Sequence, residues 1–83
     1  MDAKDTILVY GADWCGDCRR SKKFLDANQV NYTYVDVETN PDQLAIMQQY
    51  NGGLQSIPTI VFPDGRVLVE PSNPLLAENL GLR

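Results

Sequence analysis

The stretch Cys15-Gly16-Asp17-Cys18, placed directly after the apolar run Thr6-Ile7-Leu8-Val9-Tyr10, constrains this chain more than any other feature. These are the only two cysteines in the sequence, and a strand runs straight into them. A Cys-x-x-Cys pair where a strand hands over to a helix reads as a redox motif. If the pair opens the helix, Cys15 lies beside unpaired backbone N–H groups and the positive end of the helix dipole. Such groups favour a thiolate, and sites of this kind bring a thiol pKa from about 8.5 to roughly 3.5–7.5. Cys18 follows close to one helical turn later and can reach Cys15. The spacing therefore predicts an ionised sulfur at Cys15 with its partner within bonding distance, and neither side chain deep in the fold.

Two plainer readings compete with this one. A structural zinc site takes four ligands, typically cysteine pairs or cysteine with histidine. The chain has no histidine and no third cysteine, so no metal site is expected from it. A purely structural disulfide would close a very short ring, and chain entropy credits short loops with the least stabilisation.

Eighty-three residues at 43% hydrophobic content suit one small domain, taken as residues 1–83. No apolar stretch approaches the roughly 20 residues of a membrane helix, and the N-terminal residues carry no basic head followed by an apolar run. A soluble, cytoplasmic chain is expected, where reducing conditions favour catalytic cysteine pairs over structural ones. The net charge of −4 argues against nucleic acid as a partner. Four of the seven basic residues nevertheless cluster behind Cys18, as Arg19, Arg20, Lys22 and Lys23. A solvated helix face accounts for most of them. Arg19, about a turn beyond Cys15, is the candidate to add positive potential near the sulfur.

Ile7 to Tyr10 is an uninterrupted apolar run, as in a strand covered on both faces. A helix is expected from about Cys15 to Asn28, with Phe24 and Leu25 inward and the basic residues in water. Asn31 to Val37 is rich in aromatic and β-branched residues and reads as a second strand, parallel to the first. Asn40-Pro41-Asp42-Gln43 predicts a helix start with Asn40 as cap and Gln43 completing a capping box. That helix should bury Leu44, Met47 and Tyr50 and stop at Gly52-Gly53. Thr59–Phe62 and Arg66–Val69, joined by Pro63-Asp64-Gly65, form a hairpin. Asn73-Pro74 opens a last short helix ending at Gly81. The order is β-α-β-α-β-β-α, an α/β fold with a mixed four-stranded sheet and helices on both faces.

With Trp14-Cys15-Gly16-Asp17-Cys18, Ser56-Ile57-Pro58-Thr59 and Asp64-Gly65 in that order, the chain resembles the glutaredoxin family, the minimal form of the thioredoxin fold. Asn51-Gly52-Gly53 ahead of the proline and Pro71-Ser72 before the last helix are similar to mycoredoxin-like and other small bacterial glutaredoxin-like proteins. The resemblance implies a cis Pro58 facing the cysteines, and an Ile57 backbone that holds substrate as a short extra strand. Typical glutathione-using members differ: they carry Pro-Tyr between the cysteines, and Gly-Gly followed by an acid where this chain has Glu70-Pro71-Ser72-Asn73-Pro74. Ser72, Asn73 and a helix N-terminus could hold a carboxylate, which Glu70 would repel. Thioredoxins place a buried acid where this chain has Val9.

The implied activity is thiol–disulfide exchange, a glutaredoxin-like enzyme with Cys15 attacking and Cys18 resolving. Trp14, Ile57, Pro58 and Ser72 are the expected substrate-binding residues. Asp17 and Arg19 would tune the pKa of Cys15 in opposite directions, Asp17 raising it. No bound cofactor is expected. The co-substrate would be a low-molecular-weight thiol such as glutathione or mycothiol, the partners disulfide-containing proteins, and the chain a monomer. Two alternatives remain. One is an electron donor to ribonucleotide reductase recharged by thioredoxin reductase; the other is a non-catalytic iron–sulfur carrier using Cys15 from two chains.

Overall fold

A computed structural model describes residues 6–82. The elements are β1 (Ile7–Gly11), α1 (Gly16–Ala27), β2 (Tyr32–Asp36), α2 (Pro41–Asn51), β3 (Thr59–Val61), β4 (Val67–Val69) and α3 (Asn73–Leu80), in the expected order. They build one four-stranded sheet in the order β2-β1-β3-β4. β1 pairs parallel with β2, and β3 pairs antiparallel with both β1 and β4. The mixed α/β fold expected from the sequence is the observed one.

Strand side chains alternate between faces, and both faces of β1 are apolar, so its sequence shows no alternation. Ile7 and Val9 point to one face, where Leu25 of α1 and Leu76 of α3 meet Ile60 and Phe62. Tyr10 points to the other, packed with Val37, Val61 and Met47 of α2. Helices α1 and α3 thus cover one face and α2 the opposite one. Leu25, Met47, Ile60 and Leu76 are wholly buried, and burying such a side chain is worth about 1.5–3 kcal/mol.

Details of α2 depart from expectation. Asn40 precedes the helix but makes no side-chain cap. Its Nδ2 donates instead to the Asp36 carbonyl at 2.9 Å, so no capping box forms and the side chain ties the helix entry to the end of β2. Tyr50 is 45% exposed rather than buried. The inner stripe of α2 runs Leu44, Met47, Asn51, the three-then-four spacing of a helix face, which turns Tyr50 to the rim and Asn51 inward. Gly52, with φ of 79°, ends the helix in the left-handed conformation that glycine adopts without steric cost.

Candidate active site

The end of β1 and the start of α1 place the two sulfurs. Cys15 donates its backbone N–H to the Ala12 carbonyl at 3.1 Å, closing a tight turn after the strand. Extended backbone at Cys15 (φ −82°, ψ 116°) makes it the N-cap of α1, one position before the helix proper. Its Sγ accepts the Cys18 backbone N–H at 3.2 Å, the bond a serine or aspartate would make at that place. On the other side, the thiol lies 3.9 Å from the Ile57 carbonyl oxygen. That proximity sets the loop before β3 beside the cysteine turn, and its Ile57–Pro58 peptide bond is cis, as the resemblance implied, with Pro58 wholly buried.

The sulfurs are unequal in exposure. Cys15 keeps 7% of its surface, whereas Cys18 keeps none. Both are buried, which corrects the expectation that neither lies deep in the fold. Cys18, Ser21 and Leu25 form the inward stripe of α1, so the residue three past the N-cap faces the sheet. Burial pushes the Cys18 thiol up to about 12, with the hydrogen bond to Cys15 and the nearby charges of Cys15 and Asp17 adding to it and the Ala12 backbone opposing. Both cysteines are free thiols in this structure.

Gly11, not singled out from the sequence, makes room for Cys18. A Cβ at Gly11 would lie 2.7 Å from Cys18 Sγ, 3.1 Å from Cys18 Cβ and 3.1 Å from the Tyr34 hydroxyl. Tyr34 of β2 pairs with Val9 and so shares the face of Gly11. The Lys22 ammonium sits over its ring, 3.9 Å from the centroid.

Trp14 is 66% exposed, and its indole Nε1 donates to Glu38 Oε2 at 3.2 Å, leaving the ring on the rim beside Cys15. Asp17 is exposed in the first turn of α1 and pairs with Arg20 at 3.7 Å. Arg19 is exposed, and among the described residues its side chain makes no hydrogen bond or ion pair. Arg20 was expected in water with its neighbours but is only partly exposed. It donates to Asn73 Oδ1 and to the Pro71 carbonyl, tying α1 to the start of α3. Ser72 is the N-cap of α3, its Oγ accepting the Leu75 N–H at 3.3 Å. Asn51 closes the loop from below: Nδ2 donates to Thr59 Oγ1 at 3.1 Å, and Oδ1 accepts the Leu54 N–H at 2.9 Å. Thr59 in turn donates to the Ser56 carbonyl at 2.8 Å.

The glutaredoxin family model matches residues 7–68, through both cysteines and the cis-proline. The chain belongs to the glutaredoxin family. It is 39% identical over 66 residues to a protein of Mycobacterium tuberculosis named as a glutaredoxin, covering 80% of this chain and 79% of that one. Mycoredoxin 1 of Corynebacterium glutamicum is 32% identical over 72 residues, 87% of this chain and 85% of its own. Among solved structures, a point mutant of a thioredoxin-like protein superposes with a TM-score of 0.80 at 29% identity, covering 94% and 97% of the two chains. The glutaredoxin of Archaeoglobus fulgidus reaches the same TM-score at 21% identity, covering 92% and 86%, a likeness of fold alone. Family membership points to thiol–disulfide redox chemistry with low-molecular-weight thiols as co-substrates.

Proposed function

We propose that this protein is a thiol–disulfide oxidoreductase that reduces protein disulfides, or mixed disulfides between a protein and a low-molecular-weight thiol. The observation that carries this reading is the arrangement of the two sulfurs: Cys15 caps α1, accepts the Cys18 N–H and keeps a small exposed area, while Cys18 beneath it keeps none. Cys15 attacks one sulfur of the substrate disulfide, the substrate's S–S bond breaks, and a mixed disulfide forms. Cys18 then attacks Cys15 Sγ, releases the reduced substrate thiol and leaves the Cys15–Cys18 pair oxidised. A small thiol or a reductase returns two electrons.

Substrate docks across Trp14 and the Ile57 backbone, which the buried Pro58 holds in place, with Ser72 at the far rim, and Asp17 and Arg19 bring opposite charges to the start of α1. The 83 residues work as one domain and as a monomer in the cytoplasm. The region that would grip a γ-glutamyl carboxylate supports a recycling thiol other than glutathione. Arg20 is engaged by Asn73 and Pro71 there, Ser72 is spent on its cap, and Glu70 adds a negative charge.

Replacing the buried partner tests the assignment. Cys18→Ser should accumulate a covalent adduct on Cys15 when exposed to cell extract without oxygen, and mass spectrometry of the adduct identifies the substrate or the thiol. Cys15→Ser should reduce no disulfide. An adduct on a residue other than Cys15, or full activity in Cys15→Ser, refutes the order of attack. Recycling by mycothiol but not by thioredoxin reductase separates the leading reading from the electron-donor one.

A further inference from the structure

The second exchange step poses a problem of proton transfer. In it the Cys15–substrate S–S bond breaks, the Cys15–Cys18 S–S bond forms, the cysteine pair is oxidised and the substrate thiol leaves reduced. Cys18 must lose its proton to become the nucleophile, yet it is wholly buried and held protonated by that burial. At rest its backbone N–H, and not its thiol, donates to Cys15 Sγ at 3.2 Å. In the mixed disulfide Cys15 Sγ is bonded to the substrate sulfur and cannot take the proton. The chain has no histidine to do so.

Of the three atoms nearest that gap, one belongs to a polar side chain on another element; Ser21, the next residue on the inward stripe of α1, is also buried, and its hydroxyl is unpartnered. Where Gly11 lacks a Cβ, the vacant position lies 2.7 Å from Cys18 Sγ and 3.1 Å from the Tyr34 hydroxyl oxygen, so thiol and phenol flank a single space. Tyr34 shares the sheet face of Gly11 through its pairing with Val9. The Tyr34 hydroxyl has no hydrogen bond among the described residues, in contrast to Tyr32, whose hydroxyl donates to Asp26 at 2.9 Å. Its side chain is half-buried, with the Lys22 ammonium over its ring.

We propose that the Tyr34 hydroxyl is a proton relay for Cys18, receiving the thiol proton across the Gly11 gap while passing its own to solvent. The inference rests on the exchange reaction proposed above and assigns its second step a residue. Rotation of the Cys18 S–H about its Cβ–Sγ bond, which moves only the proton, turns it toward that space. The hydroxyl is neutral before and after the transfer, and the proton ends on solvent or on the departing substrate thiolate. Burial chiefly, then Cys18, Asp13, Asp36 and Cys15, keeps the phenol protonated, pushed up to about 12, so it is a conduit and not a standing base. The charged and titratable groups facing it are Cys15, Cys18, Asp13, Asp36 and Lys22.

The test uses the full chain and dithiobis(nitrobenzoate), which releases one coloured thiolate when Cys15 attacks and a second when Cys18 resolves. Tyr34→Phe should leave the first phase unchanged and slow the second about tenfold or more at neutral pH, at the low end or below what general acid–base groups contribute. The deficit should shrink as pH rises and hydroxide takes over the proton. A ring-fluorinated tyrosine at position 34 preserves shape and alters only acidity, so it decides the matter if Tyr34→Phe folds poorly; its second-phase pH profile should shift. Second phases equal to the parent at every pH in either variant overturn the relay. Absence of the first phase in the parent protein would overturn the exchange reaction beneath it.

Discussion

Alanine at position 11 would place a methyl group 2.7 Å from Cys18 Sγ, about 1 Å inside an ordinary carbon–sulfur contact, with Cys18 Cβ and the Tyr34 hydroxyl each at 3.1 Å. Relief would require the Cys18 or Tyr34 side chain to turn away, and Cys18 is wholly buried on α1. Overpacking of this kind costs about 1–3 kcal/mol, and removing a glycine from a strand returns roughly 0.5–1 kcal/mol. The net destabilisation should be about 1–2 kcal/mol, or a fall in Tm of about 5–15 °C for a domain of this size. The assay is thermal unfolding under reducing conditions, run as a double-mutant cycle with Cys18→Ala. With the sulfur gone the methyl group gains space, so Gly11→Ala should cost about 1 kcal/mol less in that background. Equal costs in both backgrounds, or no loss of stability in either, would refute the claim that Gly11 is kept small for the sake of the buried thiol.

Two further outcomes follow from the same structure. Cys18, Tyr32 and Tyr34 each have a native pKa raised to about 12, above unfolded values near 9 for the thiol and 10 for the phenols. Groups of this sign contribute stability that is complete below the unfolded pKa and lost as pH climbs through the folded one. The Tm should therefore hold steady to about pH 9 and decline toward pH 12, and Tyr32→Phe should flatten part of that decline; an unaltered profile would contradict it. Asn51→Ala removes two hydrogen bonds that clasp the loop before Pro58, at about 1–2 kcal/mol in a denaturant titration, whereas a surface asparagine without partners would cost almost nothing.

What was legible in the sequence was what is encoded locally. The cysteine pair, the proline that opens α2 and the Asp-Gly hairpin each announce themselves within a few residues, and the element order followed from them. The residues that were missed act across the chain. Arg20 reaches Pro71 and Asn73, more than fifty positions away, and its basic neighbours hid it among solvated charges. Gly11 matters only because α1 brings Cys18 down on it, a contact no strand pattern shows. Tyr50 lies one step of helix phase outside the inner stripe, which passes through Asn51, and a polar residue on a buried face looks in the sequence like an outer one. The depth of Cys18 was hidden for a related reason: spacing sets its distance from Cys15, but only the packing of α1 on the sheet decides which sulfur is covered.

Trp14 is the chain's only tryptophan, and it stands largely in water one residue from the more accessible sulfur. Its fluorescence is therefore a native gauge of the cysteine rim. A molecule settling there strips solvent from the indole and alters its emission, so arrivals and departures can be timed without attaching a dye.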